Sequence, residues 1–462
     1  MPSLRARLIA ACPPAGARLV APGASLELAA LAAGDGAGAE LAGRSVLVRT
    51  ATQLGAAQAL VELDGRARRL VLCPPDLAAE HLPYVVGEAG VEAVVTDAPQ
   101  RLPADLGLPV HSLRAPAGGA DVVEPPGEAA TEWLLFTSGT TGKPKLVIHR
   151  LAGLTGAIAA PPPSGEGGAG ARRPVWATFY DIRRYGGLQV LLRALVGGCA
   201  LALSEAAEPL ADRLARFAAL GVTHVTGTPS HWRLLLMHPQ AGMIAPAYVR
   251  LSGEIADQAV LDRLRATFPD ARIVHAYAST EAGVGFEVDD GLEGFPEHFV
   301  GGDGPVALKV VDGSLRIRSA RAATGYAGPT ALTDDEGFFD TDDMVELKDR
   351  RWRFVGRRSG VINVGGLKVH PEEVEAVINR HPAVRVCRVR ARRSPITGSL
   401  VSAEVALDDP AQAGSPELEA ALRDSIFELC RASLPPHKAP AMLRFVSDLQ
   451  MTPGGKLERT NG

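Results

Sequence analysis

The sequence predicts an α/β protein: a large N-terminal domain of α/β layers carrying a small β-rich subdomain, followed by a small α+β C-terminal domain. Three observations lead there. The 462 residues exceed what one domain core usually holds. Between Arg44 and Asp97, apolar strand-like runs (SVLVRT, RLVLCPP, AVVTD) alternate with Ala-rich helical stretches such as LGAAQALVELDG, the rhythm of parallel α/β structure. From Gly313 the texture changes to short alternating strands, SLRIRS and RWRFVGR, and after Gly356 a second unit begins.

The elements follow in order. The start, MPSLRARLIAACPP, reads as a helix: only four apolar residues separate Arg7 from Cys12, short of the roughly 7–15 that an export segment needs. A Gly/Pro-dense loop, PPPSGEGGAGARR, begins at Pro161, and GGLQVLLRALVGGCALAL then reads as helix, glycine stop and strand. The pattern returns in VLDRLRATFPDARIVHAYAST, a helix ending before Pro269 and a strand leading into a Ser/Thr turn. In HPEEVEAVINRHPAV, Pro371 takes the first helical position, Glu372 and Glu373 the first turn, and Val374, Val377 and Ile378 one face. The strands VRVCRVRARR and LVSAEVALDD and a helix from Ser415-Pro416 complete the second unit. The expected division is residues 1–356, a connection at 357–360, and residues 361–462.

Composition excludes some functions. Net charge is −4, from 48 basic and 52 acidic side chains, which gives no general attraction to nucleic acid or an anionic membrane. No uninterrupted apolar run approaches the ~20 residues of a membrane span. The five cysteines are scattered without a close pair, which suggests neither a zinc site nor a disulfide framework and fits a reducing cytoplasm.

The stretch EWLLFTSGTTGKPKLVIHR, Glu132 to Arg150, is built to hold phosphate. It is not the common nucleotide loop G-x-x-x-x-G-K-[ST], because Thr137 stands five residues before Gly142 and Pro144 follows Lys143. What remains is a run of small hydroxyls and glycines (Thr137, Ser138, Gly139, Thr140, Thr141, Gly142). Their backbone N–H groups can wrap phosphate oxygens, with Lys145 and Lys143 as point charges.

Five motifs in order make the chain resemble the adenylate-forming superfamily, which contains acyl-CoA synthetases, nonribosomal adenylation domains and luciferases. FTSGTTGKPK resembles its phosphate loop. YASTEAG resembles its Y-G-x-T-E motif, which implies that Tyr277 lies along the adenine, Thr280 contacts the α-phosphate and Glu281 holds Mg²⁺. GFFDTDDMVEL resembles the segment that grips the ribose hydroxyls, implying that role for Asp343. FVGRRSGVINVGGLKVHPEEVE resembles the hinge and the loop after it, implying Arg357 near the ribose and Gly365 and Gly366 along the thiol's entry path. TPGGKLER resembles the C-terminal P-x-x-G-K-x-x-R element, which makes Lys456 the implied catalytic lysine. The resemblance also implies that the C-terminal domain is mobile, inserting Lys456 in one orientation and presenting Gly365 and Gly366 in another.

The implied activity is ATP- and Mg²⁺-dependent conversion of a small carboxylic acid to an acyl-adenylate, followed by transfer to the thiol of CoA. Two alternatives stand beside it: transfer to a carrier-protein pantetheine or an amine, and a nucleotide-binding protein that has lost turnover. Retention of Lys145, Glu281, Asp343 and Lys456 argues against loss. Departures from the family pattern are Asp342 and Ala278 where glycine is usual, Leu146 after the phosphate-loop lysine, and Ser359-Gly360 where the hinge usually carries an Asp or Lys. The substrate reading centres on TFYDIRRYGGLQ: Arg183, Arg184 and Tyr185 suit a polar or acidic small acid, whereas an internal pair between Asp181 and an arginine is the equal alternative. His224, His231 and Trp232 are further pocket candidates, equally readable as hydrogen-bonded core side chains.

Overall fold

A computed structural model describes residues 2–34, 37–103, 106–114, 130–137, 143–158, 173–302, 304–394, 398–413, 415–452 and 456–457. Two mostly parallel sheets dominate the first part of the chain. One runs, strand by strand, Gly325–Tyr326, Lys145–Arg150, Glu132–Thr137, Arg69–Leu72, Ser45–Val48, Ala93–Thr96, Val110–Ser112. The other runs Gly283–Val288, Arg272–Ser279, Tyr248–Ser252, His224–Gly227, Trp176–Thr178, Leu201–Ala202, Arg18–Ala21, Ala24–Glu27. The helices Gln53–Leu63 and Tyr185–Gly197 share one core with side chains of both sheets, among them Val46, Leu70 and Trp133 from the first and Leu19 and Leu201 from the second. A helix covered on all sides has no solvent face to keep polar, which is why Gln53–Leu63 is apolar almost all round.

The opening helix spans Leu4–Ala10, begun by Ser3, whose hydroxyl accepts the Ala6 N–H, and anchored by the fully buried Leu4 and Leu8. The β-rich subdomain is a five-stranded antiparallel sheet ordered Phe295–Pro296, Arg351–Arg357, Phe339–Lys348, Ser314–Ser319, Val306–Val311. A helical turn, Arg358–Gly360, leads out of it. The C-terminal part has a core of its own, in which Val374 and Ile378 of the helix Pro371–Ile378 meet Ile426 of the helix Pro416–Ser433 and Val389 and Val405 of two long strands. The fold class expected from the sequence is the one observed. The Gly/Pro-dense segment after Pro161 lies outside the described residues. Among the described residues no helix is long and apolar enough to cross a membrane.

Three neighbouring parallel strands, His224–Gly227, Tyr248–Ser252 and Arg272–Ser279, end side by side. Ligands in such sheets collect beyond the carboxyl ends of the strands. The turns found there are Thr228-Pro229, Gly253-Glu254 and Thr280-Glu281.

Candidate active site

Lys456 reaches these turns from the C-terminal segment. Its stem crosses Gly253, where φ is +87° and an added Cβ would lie 3.5 Å from Lys456 Cε. The next residue is tied down: the Leu457 N–H donates to Glu254 Oε1 at 3.1 Å, while Glu254 Oε2 accepts the Ser230 N–H at 2.9 Å. Water still reaches the Lys456 side chain, yet the protein around it lowers the ammonium pKa. Desolvation is the main cause; the carboxylates of Glu254, Asp343 and Glu281 oppose it and Arg357 adds to it.

The Thr280-Glu281 turn is held from below. His149 is fully buried on the strand Lys145–Arg150, and burial pushes its pKa down to about 4, so the ring is neutral and its Nε2–H donates to the Thr280 carbonyl at 2.6 Å. The Ala323 N–H donates to the Glu281 carbonyl at 2.8 Å. The Tyr326 hydroxyl is raised to about 12, first by burial and then by Glu281, and the Lys145 ammonium stands 5.4 Å from the centre of the same ring. Antiparallel pairing sets Lys145 opposite Thr137. Ser138, Gly139, Thr140, Thr141 and Gly142 lie outside the described residues.

On the other side, Asp343 accepts the Tyr277 O–H at 2.5 Å and the Arg357 Nε–H at 3.2 Å. The Tyr277 ring lies nearly parallel to Phe286 and Phe354, with centroids 5.5 and 5.3 Å away. The observed partner of its hydroxyl is the implied ribose-binding carboxylate. Burial and the Asp343 charge both raise its pKa, so it stays a donor. Asp342 has φ +63°, a left-handed conformation that glycine adopts without strain, which accounts for the usual glycine there. Its carboxylate accepts the N–H and O–H of Ser359 at 3.2 and 2.6 Å.

Gly365 and Gly366 form the two-residue turn between the strands Ile362–Val364 and Leu367–Val369, with φ +57° and +89°. Positive φ at both positions is the geometry of a type I′ hairpin, so the backbone itself requires these glycines. Open space surrounds both.

Next to the strand ends lies a cavity of about 370 Å³, counting its mouth, lined among others by Tyr180, Tyr185, Gln189, Arg193, Arg250 and Ser252.

The profile of the AMP-binding enzyme family matches residues 66–321, and that of the AMP-binding enzyme C-terminal domain matches residues 373–456. The chain belongs to the AMP-binding enzyme family. It is thus an adenylate-forming protein, as its motifs suggested. The chain is 27% identical over 426 residues to the probable non-canonical nonribosomal peptide synthetase CymA of Salinispora arenicola, covering 83% of this chain and 5% of that protein. It is 29% identical over 264 residues to the 2-succinylbenzoate–CoA ligase of Salmonella typhimurium, covering 54% of this chain and 53% of that one. The chain thus spans about half of one relative and a small part of the other. Its fold superposes with a TM-score of 0.80 on the anthranilate CoA ligase AuaEII in complex with anthranoyl-AMP, at 18% identity, covering 99% of this chain and 95% of that one.

In this AMP-binding enzyme several substrate expectations are corrected. Arg183 is 6% exposed and forms a two-pronged pair with Asp181, at 2.8 and 2.6 Å, and a bond to the Thr50 carbonyl at 2.8 Å. It orients its loop, the alternative weighed against substrate binding. Arg184 pairs with Asp76. His231 closes a capping box with Thr228 at the start of the helix Pro229–Leu236, and burial lowers its pKa to about 3. His224 is half-buried and stacks on Tyr248, while Trp232 is a core side chain with its N–H on the Arg250 carbonyl. Only Tyr185 of the expected substrate set lines the cavity. His149, Glu254, Gln189, Arg193 and Arg250 were not singled out. The last two could have been suspected from charges inside otherwise apolar helix and strand patterns, and Glu254 from its place just beyond a strand.

Proposed function

We propose that this AMP-binding enzyme joins a small carboxylic acid to AMP and passes the acyl group to the thiol of CoA. The observation that carries the reading is the meeting of Lys456 with Gly253, Glu254 and the charges of Glu281, Asp343 and Arg357 at adjoining strand ends. A carboxylate is a poor electrophile until one of its oxygens becomes part of a good leaving group. In the first half-reaction a carboxylate oxygen attacks the α-phosphorus of ATP and pyrophosphate departs. Negative charge grows on the phosphoryl oxygens, and Lys456, pre-positioned by the Leu457–Glu254 bond, supplies a positive charge there without reorganisation. Asp343, held by Tyr277 and Arg357, is set to accept from ribose hydroxyls. Lys145 and the loop before it would face the departing phosphates.

The residues fit a magnesium ion carried by the nucleotide rather than by a protein cage. Among the described residues no cluster of three metal-binding side chains exists, and the Glu281 carboxylate accepts no side-chain hydrogen bond. One carboxylate plus phosphates and water is the usual environment of this ion, which would neutralise phosphate charge. In the second half-reaction a thiol attacks the acyl carbon and AMP leaves, after rotation about residues 357–360 withdraws Lys456. The match to a nonribosomal peptide synthetase favours one other acceptor, a carrier-protein pantetheine.

Incubation with ATP, Mg²⁺ and a panel of small acids, with and without CoA, separates the readings. Acyl-CoA formation with stoichiometric AMP and pyrophosphate is expected. Acyl-AMP that accumulates unchanged by CoA would move the acceptor to a carrier protein or an amine.

A further inference from the structure

The cavity beside the strand ends has an unusual charge inventory. The helix Tyr185–Gly197 presents Tyr185, Gly186, Gln189, Val190 and Arg193 to it, one helical stripe. Arg250 enters from the neighbouring strand Tyr248–Ser252 and is 8% exposed. Both guanidinium groups turn to a single carboxylate: Arg250 bonds Glu287 directly, and Arg193 lies 3.7 Å from the same oxygen. Arg250 is also close to the Tyr248 hydroxyl, and burial, followed by the Arg250 charge, lowers the Arg193 pKa against the opposing pull of Glu287. Two cations against one partly exposed anion leave one positive charge without a carboxylate partner, a place where a further anion would be favoured. Gln189, on the same stripe, is 6% exposed and fixed by its Nε2–H, which donates to the Leu154 carbonyl at 2.9 Å.

The cavity also has a direction. Ser252 lines it, and the next residue, Gly253, underlies Lys456. Arg250 precedes Ser252 by two residues on the same face of the strand, about 7 Å further from the lysine. We infer that the acid activated here is a short one bearing a second anionic group, which Arg193 and Arg250 bind while the first carboxylate meets Lys456. This deepens the proposed function and rests on it.

The test compares diacids with monoacids of the same carbon skeleton, aliphatic and aromatic, using the full chain. One readout is acid-dependent pyrophosphate release, and the other is the shift of the thermal midpoint on adding the acid alone. Diacids should exceed their monoacids by roughly 100-fold in kcat/KM, about the effect of one hydrogen bond to a charged group. Arg193→Met should shrink that ratio at least tenfold, and Arg193→Lys should restore part of it. Monoacids equal to or better than diacids, or a ratio unmoved by Arg193→Met in a folded variant, would overturn the inference. The thermal readout separates it from the parent reading. A diacid-specific shift lost in Arg193→Met supports the anion pocket even without pyrophosphate release, whereas pyrophosphate release with monoacids alone sustains acid activation and removes the pocket.

Discussion

At the scale of single residues, the site depends on groups held by hydrogen bonds that have to be made by particular atoms. Lys456 is one. Replacing it with alanine removes the cation where charge develops, and acid-dependent pyrophosphate release should fall roughly 100-fold or more. Transfer from a supplied acyl-adenylate to thiol should change far less if rotation of the C-terminal part withdraws the lysine by then. His149 is another. Its pKa is lowered from 6.5 to about 4, so the unfolded chain binds more protons than the folded one between these values. Its contribution is complete above pH 6.5 and is lost as pH falls toward 4, on the order of 3 kcal/mol in all. Urea midpoints at pH 7 and pH 5 should differ more in the parent chain than in His149→Gln. Equal differences would mean that the histidine is not held neutral.

These residue roles divide by how far they can be read without coordinates. Lys145, Glu281, Asp343 and Lys456 stand in motifs whose spacing is local, so the sequence displays them. Arg183 stood in an equally suggestive stretch, but whether it faces a ligand or Asp181 depends on rotamers and on the distant Thr50 carbonyl. Arg193 and Arg250 lie 57 residues apart on different elements, and nothing in either stretch announces that Glu287 lies between them.

At the scale of elements, parallel strand ends and tight turns position the chemistry. Glu254 links the turn after the strand Tyr248–Ser252 to Leu457 and to the start of the helix Pro229–Leu236. In Glu254→Gln only one of the two N–H groups keeps an acceptor, so Lys456 should lose its register and the first half-reaction about tenfold, the effect of one charged hydrogen bond. A variant with unchanged pyrophosphate exchange would show that the bond does not position the lysine. The glycine hairpin carries an opposite lesson. Gly366→Ala should lower stability by about 1 kcal/mol through its positive φ alone, visible in denaturant unfolding even without substrates. A larger side chain there therefore reports on thiol entry only after that loss is measured. The strands and helices were legible from their apolar periodicities, and Pro371 and Ser415-Pro416 marked helix starts correctly. The order of strands in the two sheets was not legible, because pairing between residues as remote as Leu19 and Leu201 leaves no local signature.

At the scale of the whole molecule, Lys456 lies against the strand ends, beside Gly253, with Leu457 bonded to Glu254. A half-buried pair, Arg263 with Asp408 at 3.4 Å, joins the helix Gln258–Thr267 to the C-terminal part. The helical turn at 358–360 is fastened to the subdomain through Ser359 and Asp342. If rotation about this turn separates the two half-reactions, Gly360→Pro should leave pyrophosphate exchange within a few-fold and slow acyl transfer at least tenfold. Equal loss of both would argue for one fixed arrangement.

The central claim is that the gathered Lys456, Glu281 and Asp343 serve adenylyl transfer to an acid. ATP–pyrophosphate exchange measures that step without regard to the final acceptor. Exchange should require both Mg²⁺ and a small acid and should disappear in Lys456→Ala. Exchange absent with every acid tested, or undiminished in that variant, would contradict it.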